Sequence, residues 1–260
     1  MKRLRVLSFN IHGGRSLDGK RDLGRVRELM DRLDIDVGIF QEMDTRRSRG
    51  GGPADINLLA GPDRPHHFFG PSMFDTAEEF SGIEEDRGWF GNLMVSRYPL
   101  TRGMVHNLET AAHREPRNAV DAVVNTPYGN IRVIGTHLSL SIFERRSEAR
   151  NLLRLIKAVE ETEKNPILLM GDINEWQVPS RLLNFLDSHM TPIPCKGTFP
   201  SFLPVLKLDR VWYDAPQLKI TAHRVPAKGI RHLSDHLPLI IEIDYETGIH
   251  SSTRKTLDAG

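Results

Sequence analysis

A single cysteine, Cys195, stands among 260 residues, so no internal disulfide can form and the fold needs no oxidising compartment. The sequence also lacks any run near the ~18 consecutive apolar residues of a membrane span. Its opening, MKRLRVLSFNIHGG, holds an apolar stretch too short for the core of a secretion signal and meets Asn10 at once. Neither sign of charge dominates: 35 Lys and Arg against 34 Asp and Glu leave a formal net charge of +1, which argues against attachment to nucleic acid by bulk charge and allows only a local basic pocket. No long Pro, Ser or Gly stretch marks an interdomain linker, and no internal repeat is visible. These absences lead us to expect one domain over residues 1–245, a polar, flexible tail over 246–260, and a cytoplasmic chain for which peripheral contact with lipid stays open. No protein partner is expected.

What is present is a series of short β-rich runs: LRVLSF from Leu4, DVGIF from Asp36, NLMVS from Asn92, AVDAVV from Ala119, IRVIGT from Ile131, ILLM from Ile167, LDRVWY from Leu208 and LPLIIEI from Leu237. Leu23, Val26, Met30 and Leu33 line one face of a helix between two of them, and Ala149, Leu152, Leu153, Ile156 and Val159 line another. The class is therefore α/β or α+β. Only a turn around Pro127, Tyr128, Gly129 and Asn130 separates AVDAVV from IRVIGT, which makes that pair an antiparallel hairpin and excludes a purely parallel sheet. Mixed sheets covered by helices suit a layered sandwich whose strand ends gather at one edge. Arg46–Gly52 and the stretch from Pro62 to Arg87 combine Gly, Pro and charge without periodicity, and we expect loops there.

Polar residues recur where the strand-like runs stop: Asn10, Glu42, His137, and Asp172 with Asn174. One such residue is ordinarily a turn former or a cap. Several on one scaffold can converge into a site. In ILLMGDINEW, Gly171 permits a tight backbone, and an extended chain would put the Asp172 carboxylate and Asn174 amide on one face, the first able to deprotonate a water and the second to donate to a developing oxyanion. The competing reading is an Asx-turn. Asp209, inside an apolar run, needs a partner, and His236 in SDHLPL is a candidate, since a buried carboxylate fixes an imidazole's tautomer.

Taken in order, SFNIHGG, IFQEMD, GNLMVSRYPL, GTHLSL, LLMGDINEW, KLDRVWY and LSDHLPL resemble the metal-dependent endonuclease/exonuclease/phosphatase superfamily from Leu4 to about Ile243. The resemblance implies a DNase I-like, four-layer α/β/β/α sandwich with two mixed β-sheets. It implies Mg²⁺, with Mn²⁺ as an alternative, held by Glu42 with Asn10 and Asp235. Asp172 would activate water and Asn174 would bind a phosphoryl oxygen. His137 and His236 would stabilise the phosphate, Asp209 would orient His236, and Asn92 and Arg117 would support substrate binding alongside Asn10. The donors are oxygens, as a hard dication requires, and no Cys/His spacing suggests structural zinc.

Two residues after Asn10, where the AP endonucleases of this superfamily carry an acidic residue, stands His12, and no aromatic, basic insertion suits a DNA duplex. GTFPSFLPVLKLDRVWY looks most similar to small bacterial members of the sphingomyelinase-like branch. A phospholipid-derived or other small phosphodiester is thus the expected substrate, by analogy of fold and motif. The alternatives are a nuclease of little sequence preference that uses Arg46, Arg47, Arg49 and Arg210, and a non-catalytic binding module on the same scaffold.

Overall fold

In a computed structural model of the chain, residues 2–74, 88–108, 115–160, 164–215 and 217–245 are described. The tail expected over 246–260 lies outside them. The first β-α-β unit is β1 (Lys2–Asn10), α1 (Leu23–Arg32) and β2 (Val37–Asp44), in which β1 and β2 pair in parallel. A second unit repeats this plan with β7 (Gly129–His137), α3 (Ile142–Glu160) and β8 (Ile167–Asp172), again parallel. Helix α1 starts where the Asp22 side chain accepts from the Arg25 N–H, and it buries Leu23, Val26, Leu29 and Met30.

Around each parallel pair the neighbours run antiparallel. The remaining strands are β3 (His66–Phe74), β4 (Trp89–Ser96), β5 (Leu100–Asn107), β6 (Asn118–Thr126), β9 (Thr191–Ile193), β10 (Asp209–Asp214), β11 (Lys219–Arg224) and β12 (Leu239–Tyr245). They complete two six-stranded sheets, β11-β12-β1-β2-β4-β3 and β5-β6-β7-β8-β10-β9. The expected hairpin is β6–β7, with Thr126 opposite Gly129.

Three apolar cores define four layers. One packs α1 and α2 (Asp55–Ala60) on the first sheet through Val26, Met30, Leu59, Phe9 and Phe40. A second lies between the sheets, where Val6, Val37 and Ile39 meet Val120, Val133 and Leu168. The third packs α3 and α4 (Arg181–Asp187) on the second sheet through Leu152, Ile156, Leu182, Ile134 and Leu169. The architecture is the mixed-sheet sandwich that the sequence led us to expect.

The loop expected from Pro62 to Arg87 is in part wrong, because His66–Phe74 is strand β3; its remainder over 75–87 lies outside the described residues. Pro71 obscured it. The ladder shifts register between Pro71 and Met73 on this edge strand, where a missing N–H is tolerated. Over Arg46–Gly52 the structure has a single 3₁₀ turn, Arg47–Arg49, within otherwise irregular chain.

Candidate active site

All the strand-end residues meet at one edge, for a topological reason. Asn10 and Glu42 stand at or near the carboxyl ends of β1 and β2, and His137 and Asp172 close β7 and β8. Antiparallel neighbours present their amino ends there. Asp209 opens β10 opposite Asp172, and His236 precedes β12. In mixed sheets of this kind the crevice outside the carboxyl ends of the parallel strands is the natural ligand site.

Asn10 joins the two sheets: its Nδ2 donates to Glu42 Oε1 at 2.9 Å and to Asp172 Oδ2 at 3.0 Å. The His12 backbone N–H donates to Asn10 Oδ1, which holds the side-chain amide, and Ser234 Oγ donates to the Asn10 main-chain carbonyl, which holds the backbone. Glu42 has φ +58°, left-handed backbone at the bulge between Phe40 and Met43. A non-glycine residue keeps that conformation only where its surroundings impose it, and such positions cluster at functional sites.

On the first sheet's side the mouth is open. His12 Nδ1 lies 3.6 Å from Glu42 Oε2 and 3.8 Å from Asp235 Oδ2, so both carboxylates face one space. Burial raises the Glu42 carboxyl, but His12, the nearby His137 ring and the Asn10 amide outweigh it and hold the group down at about 2. Among the described residues no three His, Cys, Asp or Glu side chains form a ready-made metal group. A hard dication that keeps most of its waters needs only one or two carboxylates, and the partly exposed Glu42 and Asp235, with the Asn10 amide beside them, fit that demand.

The second sheet's side is buried. His236 Nδ1 lies 2.8 Å from Asp209 Oδ2, and its Nε2 lies 3.5 Å from Asp172 Oδ2. Burial opposes charge on this ring, yet Asp209 and Asp172 prevail and push it up to about 10, leaving an imidazolium at neutral pH. Burial pushes the Asp172 carboxyl upward, against the pull of the His236 charge. His137 is the opposite case: burial, with the Arg117 guanidinium second, drives it down to about 3, so it is neutral. A guanidinium can only donate, and Arg117 Nη1 sits 3.2 Å from His137 Nδ1. His137 Nε2 faces Asp172 Oδ2 at 3.6 Å and Glu42 Oε1 at 4.0 Å.

The extended backbone expected from Asp172 to Asn174 is not what forms. Asn174 has φ +55°, its N–H donates to Asp172 Oδ1 as in an Asx-turn, and its Nδ2 donates to the Leu138 carbonyl while lying 3.1 Å from His137 Nε2. The two readings of this segment thus coexist: the turn is what brings the amide into the site. Gly171 serves a purpose other than turning. It lies within β8 at φ +148°, and a Cβ there would come within 1.9 Å of the Thr136 carbonyl oxygen on β7.

Asn92 and Arg117 line a narrow crevice with Glu42 and His137. Asn92 Nδ2 donates to the backbone and side-chain oxygens of Asn118, while Asn92 Oδ1 and Arg117 Nε are buried without partners. At a mouth, the Arg117 Nε donor is suited to a phosphoryl oxygen or to water, and the Asn92 Oδ1 acceptor to water. Sequence reasoning missed Asn118, which ties Asn92 to the Gly70 and Pro71 carbonyls, and Ser234, which anchors Asn10. A polar side chain immediately before a strand, as in PRNAV and LSDH, was the available signal.

The sequence profile of the Endonuclease/Exonuclease/phosphatase family matches residues 7–236, nearly the whole sandwich. The chain belongs to this family. As a member it is a phosphoric ester hydrolase, and the superfamily generally depends on a divalent metal. It is 28% identical over 254 residues to the uncharacterized protein YbhP of Escherichia coli K12, across 92% of this chain and 95% of that one. An endonuclease/exonuclease/phosphatase from Beutenbergia cavernae shares the fold at TM-score 0.72 and 23% identity, covering 94% of this chain and 72% of the other. The human Nocturnin catalytic domain with bound sulfate superposes at TM-score 0.72 and 16% identity over 94% of each chain. D. rerio TDP2 complexed with a single-strand DNA product does so at 0.67 and 16%, covering 94% of this chain and all of the other. These three likenesses concern the fold. Among the described residues no helix is long and apolar enough to cross a membrane.

Proposed function

We propose that residues 1–245 form a cytoplasmic, Mg²⁺-dependent phosphodiesterase that hydrolyses a phospholipid-derived or other small phosphodiester by direct attack of water. The observation that carries this reading is the setting of Asp172. Its carboxylate, buried and held by the Asn10 amide, faces the His236 imidazolium at 3.5 Å and the neutral His137 ring at 3.6 Å.

Asp172 takes the proton of the attacking water. His236 and His137 stabilise charge on the non-bridging oxygens, Asp209 fixes the His236 ring, and Asn174, Arg117 and Asn92 complete the phosphate cradle. Glu42 and Asp235, with Asn10, would hold Mg²⁺, or Mn²⁺ in its place, and the ion supplies positive charge to the phosphoryl and leaving-group oxygens. No covalent nucleophile is required.

The nuclease alternative is less well supported. Arg46 is committed to the Asp44 carboxylate and stacks 5.1 Å above the Phe90 ring, and Arg210 reaches the Glu175 carbonyl. These contacts commit two of the four arginines that a bound strand would use. A non-catalytic module is disfavoured by the retention of every acidic and imidazole group above. The test is hydrolysis of bis-p-nitrophenyl phosphate with and without Mg²⁺, followed by plasmid DNA, phospholipids and inositol phosphates; metal-dependent turnover with preference for a lipid is expected, and degradation of plasmid alone would overturn the substrate class.

A further inference from the structure

Eleven large apolar side chains are exposed among the described residues, and seven of them occupy three segments beside the active-site mouth. Leu140 and Phe143 follow His137, Trp176 and Val178 follow Asn174, and Phe202, Leu203 and Val205 sit on the turn before Asp209. Val178 is 84% exposed and Phe143 79%. Such a concentration on a water-soluble surface marks an interaction site.

The group is held rigidly from below. Buried Arg145 donates to the Ser139 and Leu140 carbonyls, lies 3.5 Å from Glu175 and stacks 5.2 Å from the Trp176 ring, so one guanidinium joins the Leu140 and Trp176 segments. Across the mouth, the Ser201 N–H donates to the Asp235 carbonyl and the Phe199 ring lies 4.9 Å from that of His236, which fixes the Phe202–Val205 turn against the catalytic residues.

Beside Phe143 and Val178 a cavity of about 270 Å³ opens between α3 and α4, lined by Arg146, Arg150 and Arg181 over a floor of Ala149, Leu182 and Phe185. Among the described residues no ion pair or hydrogen bond involves the side chains of these three arginines, and Arg146 Nε is buried with no acceptor. Three unpaired guanidiniums beside protruding aliphatic side chains match one surface chemically: anionic phosphates at the level of the arginines, and hydrocarbon beyond them. Single-stranded nucleic acid would satisfy the cations but would leave Leu140, Val178, Leu203 and Val205 without stacking partners.

We propose that the rim formed by these three segments docks on an anionic phospholipid bilayer, with the Arg146–Arg150–Arg181 cleft seating headgroup phosphates, so that the mouth opens onto the membrane surface. This deepens the phospholipid reading of the substrate and rests on it. Binding is measured in chelator, where turnover plays no part, by co-sedimentation with vesicles of phosphatidylcholine alone and of phosphatidylcholine mixed in equal parts with phosphatidylglycerol. The mixed vesicles should retain the protein, more weakly as salt rises. Replacing all three arginines by Gln should weaken binding roughly 100-fold, as removing three interfacial charges implies, and the exposed single variant Arg181→Glu should weaken it in the same direction. Brominated lipid should quench a tryptophan signal that Trp176→Phe removes. Equal binding to both vesicle types, no binding to either, or arginine-dependent retention of single-stranded DNA without vesicle binding would overturn the proposal. Vesicle binding with no hydrolysis of any phospholipid would overturn the substrate reading alone.

Discussion

The two β-α-β units are built on one plan and end in opposite environments. In the first, Asn10 and Glu42 emerge beside Asp235 and His12 into an open mouth, and the Glu42 carboxyl is held low and ionised. In the second, His137 and Asp172 end beside Asp209 and His236 in buried surroundings, where one imidazole is driven to neutrality and the other to its cation. Strand topology decides where the groups meet, while burial and partners decide what each does. An open, ionised carboxylate suits a hydrated cation. Buried groups with displaced titrations suit proton transfer.

The largest effect should come from emptying the open half. Chelation should abolish turnover and added Mg²⁺ or Mn²⁺ should restore it, while calorimetry on Glu42→Gln should show weakened metal binding with little change in Tm. Full activity in chelator would remove the basis for assigning the two halves different tasks.

Next comes the buried half. Asp172→Asn keeps the shape but removes the charge and leaves one oxygen to accept from either Asn10 or the Asn174 N–H, so kcat should fall by ~10²–10⁴ with metal affinity little altered. A matching loss of metal affinity would show that Asp172 belongs with Glu42.

Asp209→Asn should lower kcat by ~10–100-fold, and combined with His236→Ala it should add little to the loss from His236→Ala alone, because the 2.8 Å contact makes them one unit. Additive losses in the cycle would show instead two independent contributions.

The sequence was legible where burial on both faces left a signal. The eight runs read as strands are the eight inner strands, β1, β2, β4, β6, β7, β8, β10 and β12; the four edges, β3, β5, β9 and β11, were missed. KITAHR in β11 alternates exposed and half-buried residues, and β3 carries Pro71, so neither shows an apolar run. At the site, polar residues at strand ends announced themselves against apolar runs. The positive φ of Glu42 and Asn174 did not, because left-handed backbone at a non-glycine is imposed by tertiary contacts that no local pattern carries.

The smallest effects concern stability, and they test whether the two halves are closed with equal tightness. Gly171 of β8 and Gly38 of β2 both sit inside the parallel pairs. A Cβ at Gly171 would meet the Thr136 backbone oxygen at 1.9 Å with φ at +148°, whereas one at Gly38 would meet side chains, the Phe40 ring at 2.7 Å and Met30 Sδ at 3.1 Å. Backbone in a paired strand cannot withdraw without breaking its ladder, but a ring and a thioether can shift. Gly171→Ala should therefore cost at least about 3 kcal/mol of unfolding free energy and displace His137 from Asp172, lowering kcat as well. Gly38→Ala should cost about 1–2 kcal/mol and leave kcat unchanged. Denaturant titrations of the two variants compare them directly. Equal costs would mean that β7 and β8 can separate as easily as the Phe40 ring can turn, and the close approach at Gly171 would then not be what sets the spacing of the buried half.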